Sequence, residues 1–228
     1  RSEPNGTAMD AYARYRAALR DLELPAAFVD LDAFDRNLTR VNDLLAGTPV
    51  RLRVGSKSIR CVALLARIRD GLGDRDGGVL AFTAVEAEHL VAKGFCDVVV
   101  AYPTCQRADA ERFAALNRGG ARVAAMVDDV RQLQVLAAAA VARGSVVPVV
   151  IDVDMAWRAP GLSERVVLGV RRSPLYEPDA VVALARRVAE TPGLRFVGAM
   201  GYEAQIAGLP DRDAKGRRDA GNGALKAL

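Results

Sequence analysis

The sequence predicts an α/β protein of the (β/α)8 TIM-barrel type, cut short before its last strands. Three observations carry that prediction. Apolar runs of strand length alternate with Ala/Leu/Arg-rich helical runs. The strand runs are apolar on consecutive positions, as in parallel strands covered by helices. Polar residues (Lys57, Thr83, Tyr102, Asp154, Tyr202 and Glu203) recur where those runs end, and the C-terminal rim of a barrel is where such residues collect for chemistry. An open doubly wound sheet also satisfies the alternation, but no G-x-G-x-x-G follows the first strand-like run.

The first run, "AAFVDLD" (26–32), is strand-like and leads into a helix to about Leu45, with Asp32 as its N-cap. "VRLRVGSK" (50–57) alternates apolar and polar side chains and precedes a helix over 59–68. "GVLAFT" (78–83) precedes "AVEAEHLVAKG", which Gly94 ends as a C-cap. "DVVVAY" (97–102) is followed by a helix over 109–116. "RVAAMV" (122–127) leads to a helix capped by Asp128 or Asp129 and closed by Gly144. "VPVVIDVD" (147–154) runs through a longer loop to Pro178, a helix to about Glu190, and "LRFVGAMGYE" (194–203). "GLGDRDGG" (71–78) lies between a helix and the next strand, the wrong order for a dinucleotide phosphate loop, and is assigned as a turn. Apart from the first run there are six β–α units, where a closed barrel needs eight.

The 228 residues are 51% apolar, enough for a single sizeable core. The 32 basic residues are mixed with 28 acidic ones, leaving a net charge of +4 and no basic tract, so a nucleic-acid partner is not implied. No stretch of about 18 apolar residues suggests a membrane span. Cys61, Cys96 and Cys105 are odd in number and lack metal or disulfide spacing, which makes the reduced cytoplasm the expected setting. The expected organisation is a helical extension over 1–24, the barrel over 25–208, and a charged, mobile tail over 209–228.

Lys57 stands where the alternation of its strand stops, between Ser56 and Ser58 and two residues after Gly55, with room for a flat group beside it. A strand-end lysine can simply snorkel into water. If the amine is partly withdrawn from water, its neutral form is favoured and attacks aldehydes to give a Schiff base. Asp152 and Asp154 share one face of a strand and could suggest a metal, but no His or further carboxylate stands at a matching spacing; a polar strand end is the simpler account. His89 lies mid-helix and is assigned a structural role.

"LPAAFVDLDAFDRNLTRV" followed by "VRLRVGSKS" resembles the opening of the fold-type III pyridoxal-phosphate proteins, the alanine racemase N-terminal-domain class. "GVLAFTAVEAEHLVAKGFCDVVVAYP", "IDVDMAWRAPG", "LGVRRSPL" and "VGAMGYEAQIAG" resemble successive segments of its branch containing D-threonine aldolase and D-serine dehydratase. The resemblance covers 25–208. It implies pyridoxal 5'-phosphate as cofactor, with Lys57 joined to the cofactor aldehyde. It further implies Arg158 beside the ring's phenolic oxygen or the substrate carboxylate, and Tyr202 near the cofactor face or the reacting carbon. Strand alternation lets only one of Tyr202 and Glu203 point inward. In that branch a C-terminal β-domain carries a divalent-metal site and late barrel loops hold the phosphate. Neither is found in these 228 residues, so a metal is expected only in a longer chain and no metal ligand is assigned.

The implied activity is that of a pyridoxal-phosphate-dependent lyase or racemase acting on a small, D-configured amino acid. It would proceed by retro-aldol cleavage, dehydration with deamination, or racemisation, in a homodimer. Two other readings stand beside it: a barrel that binds pyridoxal phosphate for cofactor homeostasis without turnover, and a cofactor-free scaffold.

Overall fold

The computed structural model describes residues 6–158, 167–207, 209–210, 212, 217–218 and 221–222. The chain divides between Ala46 and Gly47 into two compact units. The first holds helices α1 (Gly6–Ala18) and α2 (Leu31–Leu45). Asp30, not Asp32, caps α2: its side chain accepts from the Ala33 amide at 3.0 Å, while Asp32 falls in the first turn. The same carboxylate accepts the Tyr15 hydroxyl at 2.6 Å and pairs with Arg14. Those contacts, the Tyr15 hydroxyl first, hold its carboxyl down at about 2. Residues 26–30, expected as a strand, have no regular structure because the chain is already entering the capped helix.

In the second unit the elements follow in order: β1 (Leu52–Gly55), a 3-10 turn (Ser56–Ser58), α3 (Val62–Leu72), β2 (Asp76–Ala81), α4 (Ala84–Ala92), β3 (Asp97–Val100), α5 (Arg107–Arg118), β4 (Arg122–Val127) and α6 (Val130–Arg143). They continue with β5 (Val147–Val153), β6 (Trp157–Arg158), β7 (Val167–Leu168), α7 (Pro178–Glu190), β8 (Leu194–Gly201) and a single turn, α8 (Ala204–Ala207). Six strands form one parallel sheet in the order β1-β2-β3-β4-β5-β8. They are the six predicted units. The order never reverses, which is barrel-type winding rather than the doubly wound kind, where the strand order turns back on itself. Among the described residues the sheet is open, with β1 and β8 at its edges.

The predicted loop between β5 and α7 contains a short antiparallel pair, β6 with β7. The helix expected over 59–68 starts later, at Val62, because Arg60 takes φ +49 and interrupts it. The charged tail expected over 209–228 falls mostly outside the described residues.

Local chemistry explains the helix starts. Thr83 Oγ1 accepts from the Glu86 amide and the Glu86 carboxylate accepts from the Phe82 amide; Asp129 and Gln132 form a capping box on α6. The two faces of the sheet are unequal. Val98, Val100, Val123, Val127, Val149 and Ile151 face helices that contribute Leu90, Phe113, Leu136 and Val188, all buried. The opposite, inner face carries a smaller cluster of Ala124, Met126 and Val150, against which Val99 and Met200 pack. A cavity of about 580 Å³ opens along it. At its N-terminal end Asp97 bridges Arg53 and Arg122, each at 2.8 Å.

Gly78 is the tightest point beside that bridge. It takes φ +86, and a Cβ there would lie 2.3 Å from the Asp97 carbonyl oxygen. Gly94 has nearly the same φ, +87, but nothing within 4 Å of its Cβ position. Gly94→Ala should therefore cost only the left-handed backbone strain, about 1–2 kcal/mol. Gly78→Ala should cost clearly more, because backbone must also move. Urea denaturation of the two variants checks the ranking, and equal losses would contradict it.

Candidate active site

Lys57 follows β1 in the 3-10 turn and is exposed at the C-terminal lip of the sheet. The turn is fixed from below: Ser56 is buried and its hydroxyl donates to the Leu80 carbonyl at 3.1 Å. The Lys57 amine has no ion-pair or hydrogen-bond partner among the described residues, and nothing lies within 4 Å of where a Gly55 Cβ would be. The expected withdrawal of this amine from water is not found, because the inner face beside it is open.

The other end of the rim is crowded. β5 continues its inner row Pro148–Val150 into Asp152 and then Asp154, both buried. Each carboxylate has its own arginine. Arg158 Nη2 donates to Asp154 Oδ2 at 2.8 Å and its Nη1 to the Ala156 carbonyl at 2.9 Å, with the guanidinium 4.0 Å from the Tyr176 ring centroid. Arg172 Nε donates to Asp152, 3.1 and 3.4 Å from the two oxygens, and its Nη2 to the Ala101 carbonyl at 2.8 Å. Both aspartates are thus held in ion pairs at the end of the strand.

Arg172 also sits over two tyrosines, 5.0 Å from the Tyr102 ring centroid and 5.8 Å from that of Tyr202. Tyr202 extends the row Gly198–Met200, whose members pair with Val150 and Asp152, so it is the one of the Tyr202–Glu203 pair on the inner side. Tyr102 meets Phe82 edge to face at 4.9 Å. Tyr202, Arg172 and Asp152 thus come together, and Arg158 stands near them through the neighbouring Asp154. Lys57 and Tyr202 follow the two edge strands, β1 and β8, at opposite ends of the sheet order. His89 is exposed on α4, away from the rim.

Asp152 is displaced from its ordinary titration range. Burial pushes its carboxyl up to about 6, and Arg172 opposes that without overcoming it. Sequence reasoning noted the "LGVRRSPL" segment but assigned no role to Arg172. The available signal was the aspartate pair itself: two carboxylates on a buried strand face require two nearby cations.

Residues 29–220 match the family described as alanine racemase, N-terminal domain. The chain is 28% identical over 201 residues to the 3-hydroxy-D-aspartate aldolase of Paracoccus denitrificans (strain Pd 1222), covering 88% of this chain and 48% of that protein. The crystal structure of D-threonine aldolase from Filomicrobium marinum superposes with a TM-score of 0.65 at 33% identity, over 79% of this chain and 44% of that one. D-threo-3-hydroxyaspartate dehydratase from Delftia sp. HT23 gives a TM-score of 0.67 at 25% identity, over 84% and 46%. The chain thus spans about half the length of these relatives. A match over most of its residues, on a singly wound parallel sheet with a lysine at the lip of the first strand, places the chain in the alanine racemase N-terminal domain family.

Proposed function

We propose that this chain carries the cofactor lysine of a pyridoxal 5'-phosphate-dependent lyase acting on small β-hydroxy D-amino acids, by retro-aldol cleavage or dehydration. The observation that carries the reading is Lys57: an unpaired, accessible amine on a turn anchored by a buried serine, with open space beside Gly55. Resemblance to aldolases and a dehydratase of D-configured hydroxy amino acids supports the substrate class.

The donor set fits the cofactor at its carbonyl end. Lys57 would hold the aldehyde carbon, and Arg158, kept flat by Asp154 and Tyr176, is preorganised to face an anionic oxygen such as the ring's phenolate. When bound, the cofactor supplies an electron sink for the pair released as a bond to the substrate's Cα breaks. The chain supplies the rest. Arg158 and Arg172 fix direction in the site, Tyr102 and Tyr202 shield it from water on two sides, and Tyr202, exposed on the inner row, is the side chain assigned to the reacting carbon. Displaced from the aldehyde, the Lys57 amine is free to accept or return a proton.

Protein mixed with pyridoxal phosphate should be yellow, and Lys57→Ala should abolish both the visible band and any turnover. D-Threonine, D-serine and 3-hydroxy-D-aspartate are the substrates to assay. A band without turnover of any of them would support the homeostasis reading, and a colourless wild type would sink both.

The charge state of Asp152 also sets a pH dependence of folding. Its carboxyl titrates higher in the folded chain than in the unfolded one, so between about pH 4 and 6 the folded state binds the proton more tightly. Stability should therefore fall as pH rises through that window, by on the order of 1–3 kcal/mol. Asp152→Asn should flatten that slope when urea midpoints are compared across the range.

A further inference from the structure

The two rim arginines differ in what they leave free. Arg158 commits both terminal nitrogens, Nη1 to the Ala156 carbonyl and Nη2 to Asp154. Arg172 spends Nε on Asp152 and Nη2 on the Ala101 carbonyl, and its Nη1 has no partner among the described residues. Its side chain is only 17% exposed, and its guanidinium lies between two tyrosine rings. A long side chain ordinarily loses much rotamer freedom when it grips a ligand. Here Asp152, Ala101 and the rings have already fixed it, so an incoming anion would meet a preorganised donor.

We infer that Arg172 is the specificity-determining residue that receives the α-carboxylate of the amino-acid ligand on its Nη1 edge, between Tyr102 and Tyr202. The inference rests on the reading of Lys57 as the cofactor amine. Placement agrees with it. Ala101 directly follows β3, whose line lies two strand spacings, about 10 Å, from that of β1 and Lys57. The Lys57 side chain reaching inward and a small amino acid with its carboxylate toward Arg172 together cover that interval. Arg158, whose Nε has no hydrogen-bond partner among the described residues, is left for the other anionic oxygen of the site. Asp152 cancels the charge of Arg172, so discrimination comes from directed N–H donation rather than from bulk attraction. A ligand lacking the carboxylate then loses the whole interaction.

Calorimetric titration of the protein mixed with pyridoxal phosphate, using D-alanine and D-alaninol, tests this. The pair differs only in carboxylate against hydroxymethyl; D-alanine has no β-hydroxyl, and the D-alaninol titrations are checked for released ammonia or formaldehyde so that binding alone is read. D-Alanine should bind tighter by about tenfold or more. Arg172→Met should bring it to the D-alaninol level while D-alaninol stays unchanged, and Arg172→Lys should restore part of the gap. Because Arg172→Met leaves Asp152 unpaired, Asp152→Asn/Arg172→Met repeats the test without a stranded carboxylate. Equal losses for both ligands, an undiminished preference in both Arg172→Met proteins, or no wild-type preference would overturn the inference. The visible band reports on Lys57 separately: a band with no carboxylate preference sinks Arg172 alone, and a preference without a band sinks the cofactor reading alone.

Discussion

A carboxylate cannot stay buried without a cation, and β5 ends in two of them. Asp152 and Asp154 have side chains 1% exposed, and removing either counter-charge would strand an anion at a cost of several kcal/mol. That constraint organises the C-terminal rim. It draws Arg158 back across a four-residue turn and holds Arg172, twenty residues further on, against the strand ends. The Asp154 amide adds a bond to the Leu175 carbonyl at 2.9 Å. The described parts of the connection between β5 and α7, 154–158 and 172–175, are pinned at several points and line the rim. The aromatic partners of the arginines, Tyr176 on one side and Tyr102 and Tyr202 on the other, follow from where the aspartates put them.

Lys57 belongs to a different part of the rim and depends on a different device. Its turn is seated by a buried hydroxyl, while the amine is left without a partner. An accessible amine and locked guanidinium groups are therefore held on separate parts of the rim. This division suits a site in which one group must exchange partners while others keep direction fixed.

Much of this was legible in the sequence, for stated reasons. The central strands announce themselves because a strand buried on both faces is apolar on consecutive positions, β1 shows itself by alternation instead, and Thr83, Asp129 and Gly144 mark helix ends through local hydrogen bonding and backbone preference. The run 26–32 misleads because a short apolar segment looks the same at the start of an amphipathic helix as in a strand; only the Asp30 side chain settles which. Alternation leaves open whether Tyr202 or Glu203 turns inward, but the place of Lys57 at the end of its strand follows from it. Arg172 does not, since its partner lies twenty residues away in sequence and the pairing exists only once the loop has folded back. The openness around Lys57 was not legible either, because exposure depends on what covers the inner face, a property of the folded assembly rather than of the strand.

β8 illustrates what an uncovered boundary means in practice. Among the described residues this eight-residue strand is bonded to β5 on one side only, and it displays Phe196 and Val197, each more than 40% exposed. A row of unanswered amides and carbonyls beside apolar side chains is a template for another strand. A further strand laid against that margin would complete its hydrogen bonding and cover both side chains.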